Sequence, residues 1–280
     1  MTARPTVNSA DAGRARPDAE SGGIAKHLID GERIESDTVS ESISQGTGSV
    51  LFRLDSSIRV EGSHSRAIAD LVEEEWRNAH PEEPIIRRHI GVDPIPARAW
   101  AAAVFPDGFP TEDEEAARAL AATLTDELVS ADALLFAVPL YNFGVSQHFK
   151  AWVDMVIADP RMAAGADPIL AGKPAVLVTV RGGSYQPGTP REGWDHATGW
   201  MRRILADVWQ LDLKTVEAEF TLAGVNPALD QFKDLAQRLR AEADEKAIRT
   251  GRQLGAAVPT AAAVRTAAAL RSSRPDREAA

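Results

Sequence analysis

The sequence predicts an α/β fold with a doubly wound, five-stranded parallel sheet in the order 2-1-3-4-5 and helices on both faces. Strand-like and helix-like patterns alternate along the central part of the chain. Two strand-like runs, 133–138 and 174–180, are continuously apolar, as in strands buried on both faces. Unusual loops follow the first, third and fourth strands, and the predicted order makes these three strands neighbours.

Apolar runs and alternating patterns predict the five strands. The second strand is relatively polar, which favours a position at the edge of the sheet. In the fifth, Val216, Ala218 and Phe220 alternate with acidic residues, which is also typical of an edge strand. The predicted strands are 49–55, 85–90, 133–138, 174–180 and 216–220.

Apolar residues at helical spacing predict five helices between and after these strands. Acidic residues at 112–115 open the second helix, where they suit the positive end of the helix dipole. The apolar stripes are Ile68, Leu71, Val72 and Trp76; Leu120, Leu124 and Leu128; Phe149, Trp152, Val153 and Val156; Met201, Ile204, Leu205 and Val208; and Phe232, Leu235 and Leu239.

The two ends of the chain differ from this central part. Residues 1–48 are rich in Ser, Gly and charged residues and have little periodicity, so we expect a disordered arm that buries too little apolar surface to fold. Residues 49–255 are predicted to form one domain. Residues 256–280 are expected to form a fraying Ala-rich segment and a tail.

Composition excludes several classes of function. A formal net charge of −10 disfavours a nucleic-acid partner, because phosphate backbones are bound by clustered Lys and Arg. The absence of Cys excludes disulfides, thiolate catalysis and Cys-ligated metals, and the sequence has no His cluster with metal-ligand spacing. No run approaches the roughly 20 apolar residues of a membrane helix, and no signal-like apolar core is visible near the N-terminus. We therefore expect a soluble, cytoplasmic protein with no membrane contact.

The first unusual loop, 56–65, leads from the first strand into a helix. It contains Ser57, Ser63, His64 and Ser65, whose hydroxyls and backbone N–H groups would cradle a phosphate at the positive end of the helix. The alternative is that Ser63 or Ser65 only caps the helix.

The second and third loops would suit a flat ring. Leu140, Tyr141, Asn142 and Phe143 offer aromatic surface and an amide that both donates and accepts hydrogen bonds, although both aromatic residues are equally compatible with a core position. In the third loop, 181–185, paired glycines allow backbone N–H groups to approach a ligand, or else only make a turn. Together the three loops predict a single extended ligand.

These loops resemble the flavin-binding loops of FMN-dependent NADH-azoreductases, which are flavodoxin-like NAD(P)H:quinone oxidoreductases. The resemblance spans about residues 50–223, and its most specific part is the segment from Leu140 to Gly144 followed by Lys150, Ala151 and Trp152. It implies a flavodoxin-like homodimer with FMN at the subunit boundary. It also implies a ping-pong reaction in which NADH or NADPH reduces FMN and a small-molecule acceptor, such as a quinone, an azo compound or free flavin, is then reduced.

The resemblance also assigns roles to residues. Ser57, Ser63, His64 and Ser65 would hold the FMN phosphate, and Gly182 and Gly183 would cover the pyrimidine side of the isoalloxazine. Tyr185 would hydrogen-bond a quinone oxygen or donate a proton, or would only line the pocket. Tyr141, Asn142 and Phe143 would lie along the isoalloxazine, and Leu140 and Arg181 are also expected to bind the cofactor.

Two other functions remain open at this point. One is a flavin reductase that releases reduced flavin to a monooxygenase, and the other is a flavin-binding electron carrier or regulatory module without NAD(P)H activity. The Pro-containing segment 186–197 departs from the family pattern and is expected to line or partly close the acceptor pocket, which leaves the identity of the acceptor open.

Overall fold

The computed structural model describes residues 49–260 and residue 263. The strands are β1 (Leu51–Asp55), β2 (Ile85–His89), β3 (Ala133–Tyr141), β4 (Gly144–Val145), β5 (Pro174–Val180) and β6 (Asp212–Ala218). Five of them form a parallel sheet in the order β2-β1-β3-β5-β6, while β4 pairs antiparallel with the end of β3. The predicted order of the five main strands is therefore confirmed. The predicted arm at 1–48 and most of the predicted tail lie outside the described residues.

Six α-helices lie in residues 49–260, one more than predicted. They are α1 (His64–Ala79), α2 (Ala99–Val104), α3 (Thr111–Ser130), α4 (Gln147–Ala158), α5 (Thr198–Arg202) and α6 (Lys233–Ala257). A π-helical turn, Arg203–Val208, continues α5. Helix α2 escaped prediction because it is one short Ala-rich segment that buries only Ala99 and Ala102 and so has no apolar stripe.

The sheet separates two apolar cores. Side chains of β1 alternate between them: Phe52 and Leu54 pack with α2, α3, α4 and α5, whereas Leu51 packs with α1 and α6. This alternation is the period of two that a strand imposes. Aromatic rings fill the first core, where Phe52 stacks on Trp152 at 6.2 Å and Trp152 meets Trp209 edge-to-face at 5.8 Å. Helices thus cover both faces, which confirms the predicted α/β class.

Strands β3 and β6 differ most from the prediction, because β3 ends later than predicted and β6 spans Asp212–Ala218 instead of 216–220. Strand β3 continues to Tyr141 instead of ending at 138, because Leu140 and Tyr141 pair with Val145 and Gly144 in a hairpin. Apolar periodicity does not report such a hairpin, since its turn depends on backbone angles. Strand β6 ends at Ala218, so Phe220 is not part of it. Phe220 has a φ of 54°, a left-handed conformation that does not continue a strand.

A buried arginine fixes β1 to α1. Arg53 lies in β1 with only 2% of its side chain exposed, and it forms ion pairs with Glu73 at 2.7 Å, Asp70 at 2.7 Å and Asp55 at 3.2 Å. Burial opposes the charge of Arg53, but these carboxylates outweigh it and raise the pKa of the guanidinium. Arg53 also donates to the carbonyl of Arg66 in the first turns of α1. The network therefore fixes the start of the helix that follows the first loop.

Helix α6 packs on α1 through small residues, which the prediction missed. The predicted stripe of Phe232, Leu235 and Leu239 is only half-buried, and Phe232 lies in a 3₁₀ turn before α6. The buried residues of α6 are Ala243, Ala247, Thr250, Gly251, Leu254 and Gly255. A Cβ at Gly251 would lie 2.7 Å from the carbonyl oxygen of Val72, so the absence of a side chain permits this close helix contact.

We expect Gly251→Val to lower the free energy of unfolding by about 1–3 kcal/mol, because the added side chain forces α6 away from α1. The matched control is Gly199→Val in helix α5, where a Cβ meets no atom within 4 Å. Urea unfolding followed by circular dichroism measures both variants. Equal stabilities of the two variants would contradict the close packing at Gly251.

Candidate functional site

The first loop and the end of β3 are joined by a tyrosine hydroxyl. Tyr141 Oη accepts a hydrogen bond from the backbone N–H of Ile58 at 3.2 Å and lies 3.3 Å from Ser57 Oγ. Ser57 Oγ in turn accepts from the backbone N–H of Arg59 at 3.2 Å. The carboxyl ends of β1 and β3 therefore form one continuous surface, as predicted for neighbouring strands of this sheet.

Ser63 and Ser65 lie together at the start of α1. Ser63 is the N-cap of the helix, where its Oγ accepts from the backbone N–H of Arg66, so the capping role is confirmed. Its Oγ also lies 3.3 Å from Ser65 Oγ, and both residues are buried. Two hydroxyls thus lie at the positive end of a 16-residue helix, a favourable position for an anion.

His64, the first residue of α1, lies beside an arginine from α6. The Arg240 guanidinium donates to His64 Nδ1 at 3.3 Å, and both residues line a cavity of about 420 Å³ with Ser63 and Arg66. Partial burial, with smaller contributions from Arg240 and Arg59, lowers the pKa of His64. The lowered pKa favours the neutral imidazole near neutral pH, with Nδ1 as the acceptor.

The hairpin after β3 presents the predicted aromatic surface in a strained conformation. Asn142 and Phe143 have φ angles of 48° and 68°, and a type I′ turn requires positive φ at both central positions. Asn tolerates this region, whereas a bulky Phe occupies it only when surrounding contacts hold it. Here the carbonyl of Phe143 accepts from the backbone N–H of His196 at 3.0 Å.

The third loop is braced by a second buried arginine. Arg181 is 4% exposed and forms ion pairs with Asp195 at 2.7 Å and with Glu217, while Glu219 lies 3.6 Å from its Nε. Its side chain is thus committed to carboxylates of the protein, and its backbone N–H donates to the carbonyl of Ala218. A role for Arg181 in holding a cofactor remains a prediction, whereas its bracing of the loop is a property of the structure.

The paired glycines of this loop have different surroundings. A Cβ at Gly182 would lie 2.5 Å from the side chain of Leu222, so Gly182 allows the loop to pack against the protein. A Cβ at Gly183 would meet no atom within 4 Å, so space is open on that side. Open space on the Cβ side is therefore present at Gly183 and not at Gly182, and the approach of a ligand to the backbone N–H groups of both glycines stays a prediction.

Tyr185 lies beside the hairpin. Its ring is 6.0 Å from that of Phe143, so the third loop contacts the second. Burial raises the pKa of Tyr185, while the nearby charge of Arg191 acts in the opposite direction. The hydroxyl is therefore protonated near neutral pH and available as a hydrogen-bond donor.

Sequence reasoning missed Gly91, which follows β2 and supports the first loop. A Cβ at Gly91 would lie 2.1 Å from the carbonyl oxygen of Ser57 and 3.1 Å from the backbone nitrogen of Ile58. No other residue type fits this contact without displacing the loop. An isolated glycine directly after an edge strand was the available signal.

His89, at the end of β2, is a second residue that sequence reasoning missed. Both of its ring nitrogens are buried without a hydrogen-bond partner among the described residues, and it is paired in register with Asp55. Burial lowers the pKa of His89; Asp55 opposes this effect, and Arg66 and Arg53 add to it. His89 therefore favours the neutral state in the folded protein.

Within residues 49–260, no group of three or more His, Cys, Asp or Glu side chains is arranged to hold a metal ion. None of the helices in this part of the chain is long and apolar enough to cross a membrane.

Comparisons with known proteins identify the family. A family model described as "Flavodoxin-like fold" matches residues 50–243. The FMN-dependent NADH:quinone oxidoreductase of Frankia casuarinae is 44% identical to this chain over 199 residues, which are 69% of this chain and 94% of the relative. The chain belongs to the FMN-dependent NADH:quinone oxidoreductase family. Another member, from Frankia alni, is 39% identical over 204 residues, 71% of this chain and 96% of that relative.

Solved structures agree on the fold of this family member. An azoreductase from Bacillus anthracis has a TM-score of 0.57 at 19% identity, covering 74% of this chain and 99% of that chain. An FMN-dependent NADH-azoreductase from the same species, solved in complex with FMN, has a TM-score of 0.57 at 15% identity, covering 72% and 99% of the two chains. The flavodoxin-like fold and the family resemblance predicted from the sequence are both confirmed.

We expect the free energy of unfolding of this oxidoreductase-family protein to fall as the pH drops below about 6.5, partly because of His89. In the unfolded chain His89 has an ordinary pKa near 6.5 and binds a proton more readily than in the folded state. Acid therefore favours unfolding between the ordinary pKa and the lowered folded one. His64 contributes in the same direction.

In the variant His89→Gln, the slope of unfolding free energy against pH between 5 and 7 is expected to become shallower. Urea titrations across this range measure it, with the exposed His196→Gln as the matched control. A slope that changes equally in both variants would show that His89 is not the source.

Proposed function

We propose that this chain is an FMN-dependent NADH:quinone oxidoreductase that oxidises NADH and reduces quinones or azo compounds. The observation that carries the proposal is the convergence of the three predicted loops at one sheet edge, in a chain 44% identical to a relative of that name over 94% of the relative's length. The relative's name indicates the reaction, and the contacts among the three loops indicate the place in this chain where we expect it.

The phosphate end of FMN fits the start of α1. Ser63 and Ser65 place two hydroxyls beside the first turn, and His64 and Arg240 add a polar and a charged side chain on its outer side. A dianionic phosphate gains from backbone N–H groups, the helix dipole and charged donors together. We therefore assign Ser57, Ser63, His64 and Ser65 to the phosphate.

The ring end of FMN fits the hairpin and the third loop. Phe143 and Tyr185 offer aromatic surface, Asn142 is exposed, and the space beside Gly183 is open. Tyr141 contributes through its ring, because its hydroxyl already contacts the first loop. When bound, FMN supplies the chemistry of accepting a hydride from NADH and passing two electrons to the acceptor.

The residues of the chain supply binding, orientation and one proton. The backbone N–H of Gly183 would lie where a ligand approaches without obstruction from a Cβ, and such a preorganised donor stabilises developing negative charge. Tyr185 retains its proton near neutral pH and is the candidate donor to an acceptor oxygen or nitrogen.

A homodimer is part of the proposal, with the loop edge of the sheet at the subunit boundary. Exposed apolar residues gather on the segments that follow β1 and β2, and a boundary there would bury them. They are Ile58, Val60, Val92, Trp100 and Phe105. Light scattering on the purified chain measures the oligomeric state, and a monomer at micromolar concentration would contradict the proposed homodimer.

We also propose that the protein acts in the cytoplasm, which fits a dependence on NADH.

The deciding experiment is the visible absorbance spectrum of the purified protein, with FMN added if needed, before and after anaerobic NADH. Bound flavin that bleaches supports the proposal, and subsequent addition of a quinone should restore the oxidised spectrum. Flavin that binds without bleaching by NADH or NADPH would indicate a carrier or regulatory module. FMN that exchanges freely and saturates as a substrate would indicate a flavin reductase.

The double variant Ser63→Ala/Ser65→Ala is expected to weaken FMN binding by about 10-fold or more, because charge-assisted hydrogen bonds to the phosphate are lost. Riboflavin has no phosphate, so its affinity should change much less. Quenching of flavin fluorescence measures both dissociation constants. Loss of the helix cap also lowers stability, and Ser146→Ala, which removes the cap of α4, is the matched control for that effect.

An equal loss of FMN and riboflavin affinity in the double variant would refute the phosphate role. So would a selective loss of FMN affinity of the same size in Ser146→Ala.

A further inference from the structure

The segment 186–197 is fixed onto the candidate site by several contacts. Asp195 pairs with the buried Arg181 and also accepts from the backbone N–H groups of Ala197 and Thr198 at the start of α5. The backbone N–H of Gly193 donates to the carbonyl of Tyr185 at 3.3 Å. Together with the bond from His196 to Phe143, these contacts make the segment a fixed wall of the site.

The wall adds a tryptophan and an arginine to the aromatic surface. Trp194 lies 5.3 Å from the ring of Phe143 in an edge-to-face arrangement, and 48% of it is exposed. The guanidinium carbon of Arg191 lies 5.5 Å from the ring centroid of Phe143 and 6.0 Å from that of Trp194. These cation–π contacts hold the charge of Arg191 beside the rings.

The charge of Arg191 has no counterion in the described part of the chain, because no carboxylate oxygen there lies within 4.0 Å of its guanidinium nitrogens. Neighbouring carboxylates have other partners. Asp195 and Glu219 face Arg181, and Glu192 accepts from the backbone N–H of Gly188 at 2.8 Å. The chain as a whole carries a formal net charge of −10, which disfavours the approach of anions. A free cation beside an aromatic surface is therefore a local exception to the general charge of the protein.

We propose that Arg191 binds an anionic substituent, a carboxylate or a sulfonate, of a flat aromatic acceptor whose ring packs against Phe143 and Trp194. This inference rests on the proposed function, because the acceptor must reach a flavin that lies beside the same hairpin. It adds the chemical class of the acceptor: anionic quinones and azo compounds rather than neutral ones.

Arginine suits this task for two physical reasons. Its planar guanidinium binds a carboxylate or sulfonate through two parallel hydrogen bonds while one face stacks on a ring. The contacts with Phe143 and Trp194 also restrict its rotamers before the acceptor binds, which reduces the entropy lost on binding. An exposed ion pair of this kind corresponds to roughly a 2- to 5-fold preference for the anion.

The test uses the FMN-loaded protein without NADH, so that binding is measured and no turnover occurs. The probes are para-methyl red and its methyl ester, which share one azo chromophore and differ by one negative charge. Calorimetric titration gives the dissociation constant of each. We expect the carboxylate to bind roughly 2- to 5-fold more tightly at low salt, and this preference to shrink as ionic strength rises.

Arg191→Gln should abolish the preference by weakening the carboxylate alone, and Arg191→Lys should restore part of it. Arg238→Gln removes an exposed arginine from α6 and is the matched control, which should keep the preference. Equal weakening of both probes by Arg191→Gln would overturn the inference and indicate that Arg191 only packs the wall.

An unchanged preference in Arg191→Gln would also overturn the inference. If the same variant shows a raised dissociation constant for NADH, measured by anaerobic rapid mixing, the donor's phosphates are placed at Arg191 instead. A protein that binds no FMN would refute the proposed function as well, whereas bound FMN that NADH bleaches normally in a protein without charge preference would refute this inference alone.

Discussion

Two buried arginines hold the loops on which the site depends. Arg53 in the middle of β1 and Arg181 directly after β5 are 2% and 4% exposed, and each faces three carboxylates. Removing one partner from such a network leaves an uncompensated buried charge, which costs far more than an exposed ion pair contributes. The arrangement therefore ties the first loop to α1 and the third loop to both β6 and the segment before α5. The buried core therefore determines the positions of these loops.

The Arg53 and Arg181 networks support opposite ends of the proposed ligand site. Arg53 fixes the start of α1, where the buried hydroxyls of Ser63 and Ser65 lie at the positive end of the helix, which favours an anion. Arg181 fixes the glycine loop and, through Asp195, the wall that carries Trp194. Between them lies Tyr141, whose hydroxyl joins the first loop to β3. A ligand with a phosphate at one end and a flat ring at the other matches this division.

The parts of the fold that depend on burial were predictable from sequence. Residues 174–180 were predicted as a strand with the bounds that the structure gives, because a run buried on both faces is almost entirely apolar, here with Thr179 as its one polar residue. The hairpin at Asn142 and Phe143 depends on left-handed backbone angles, and α6 packs through Gly251 rather than through its leucines. Apolar periodicity carries neither kind of information. The residues of the candidate site were proposed from their loops, whereas Gly91 and the partners of Arg181 are distant in sequence and needed the structure.

The conformation of Phe143 links the proposed cofactor site to the proposed acceptor site. A phenylalanine with a φ of 68° is strained by about 1–3 kcal/mol, and the strain persists only if surrounding contacts offset it. Those contacts come from the wall: Trp194 and Tyr185 pack against its ring, and the backbone of His196 bonds to its carbonyl. A change in segment 186–197 therefore acts on the hairpin to which we assign the ring of the cofactor. Substitutions in this wall can therefore alter the proposed acceptor preference only if they keep the contacts that hold Phe143 in its strained conformation.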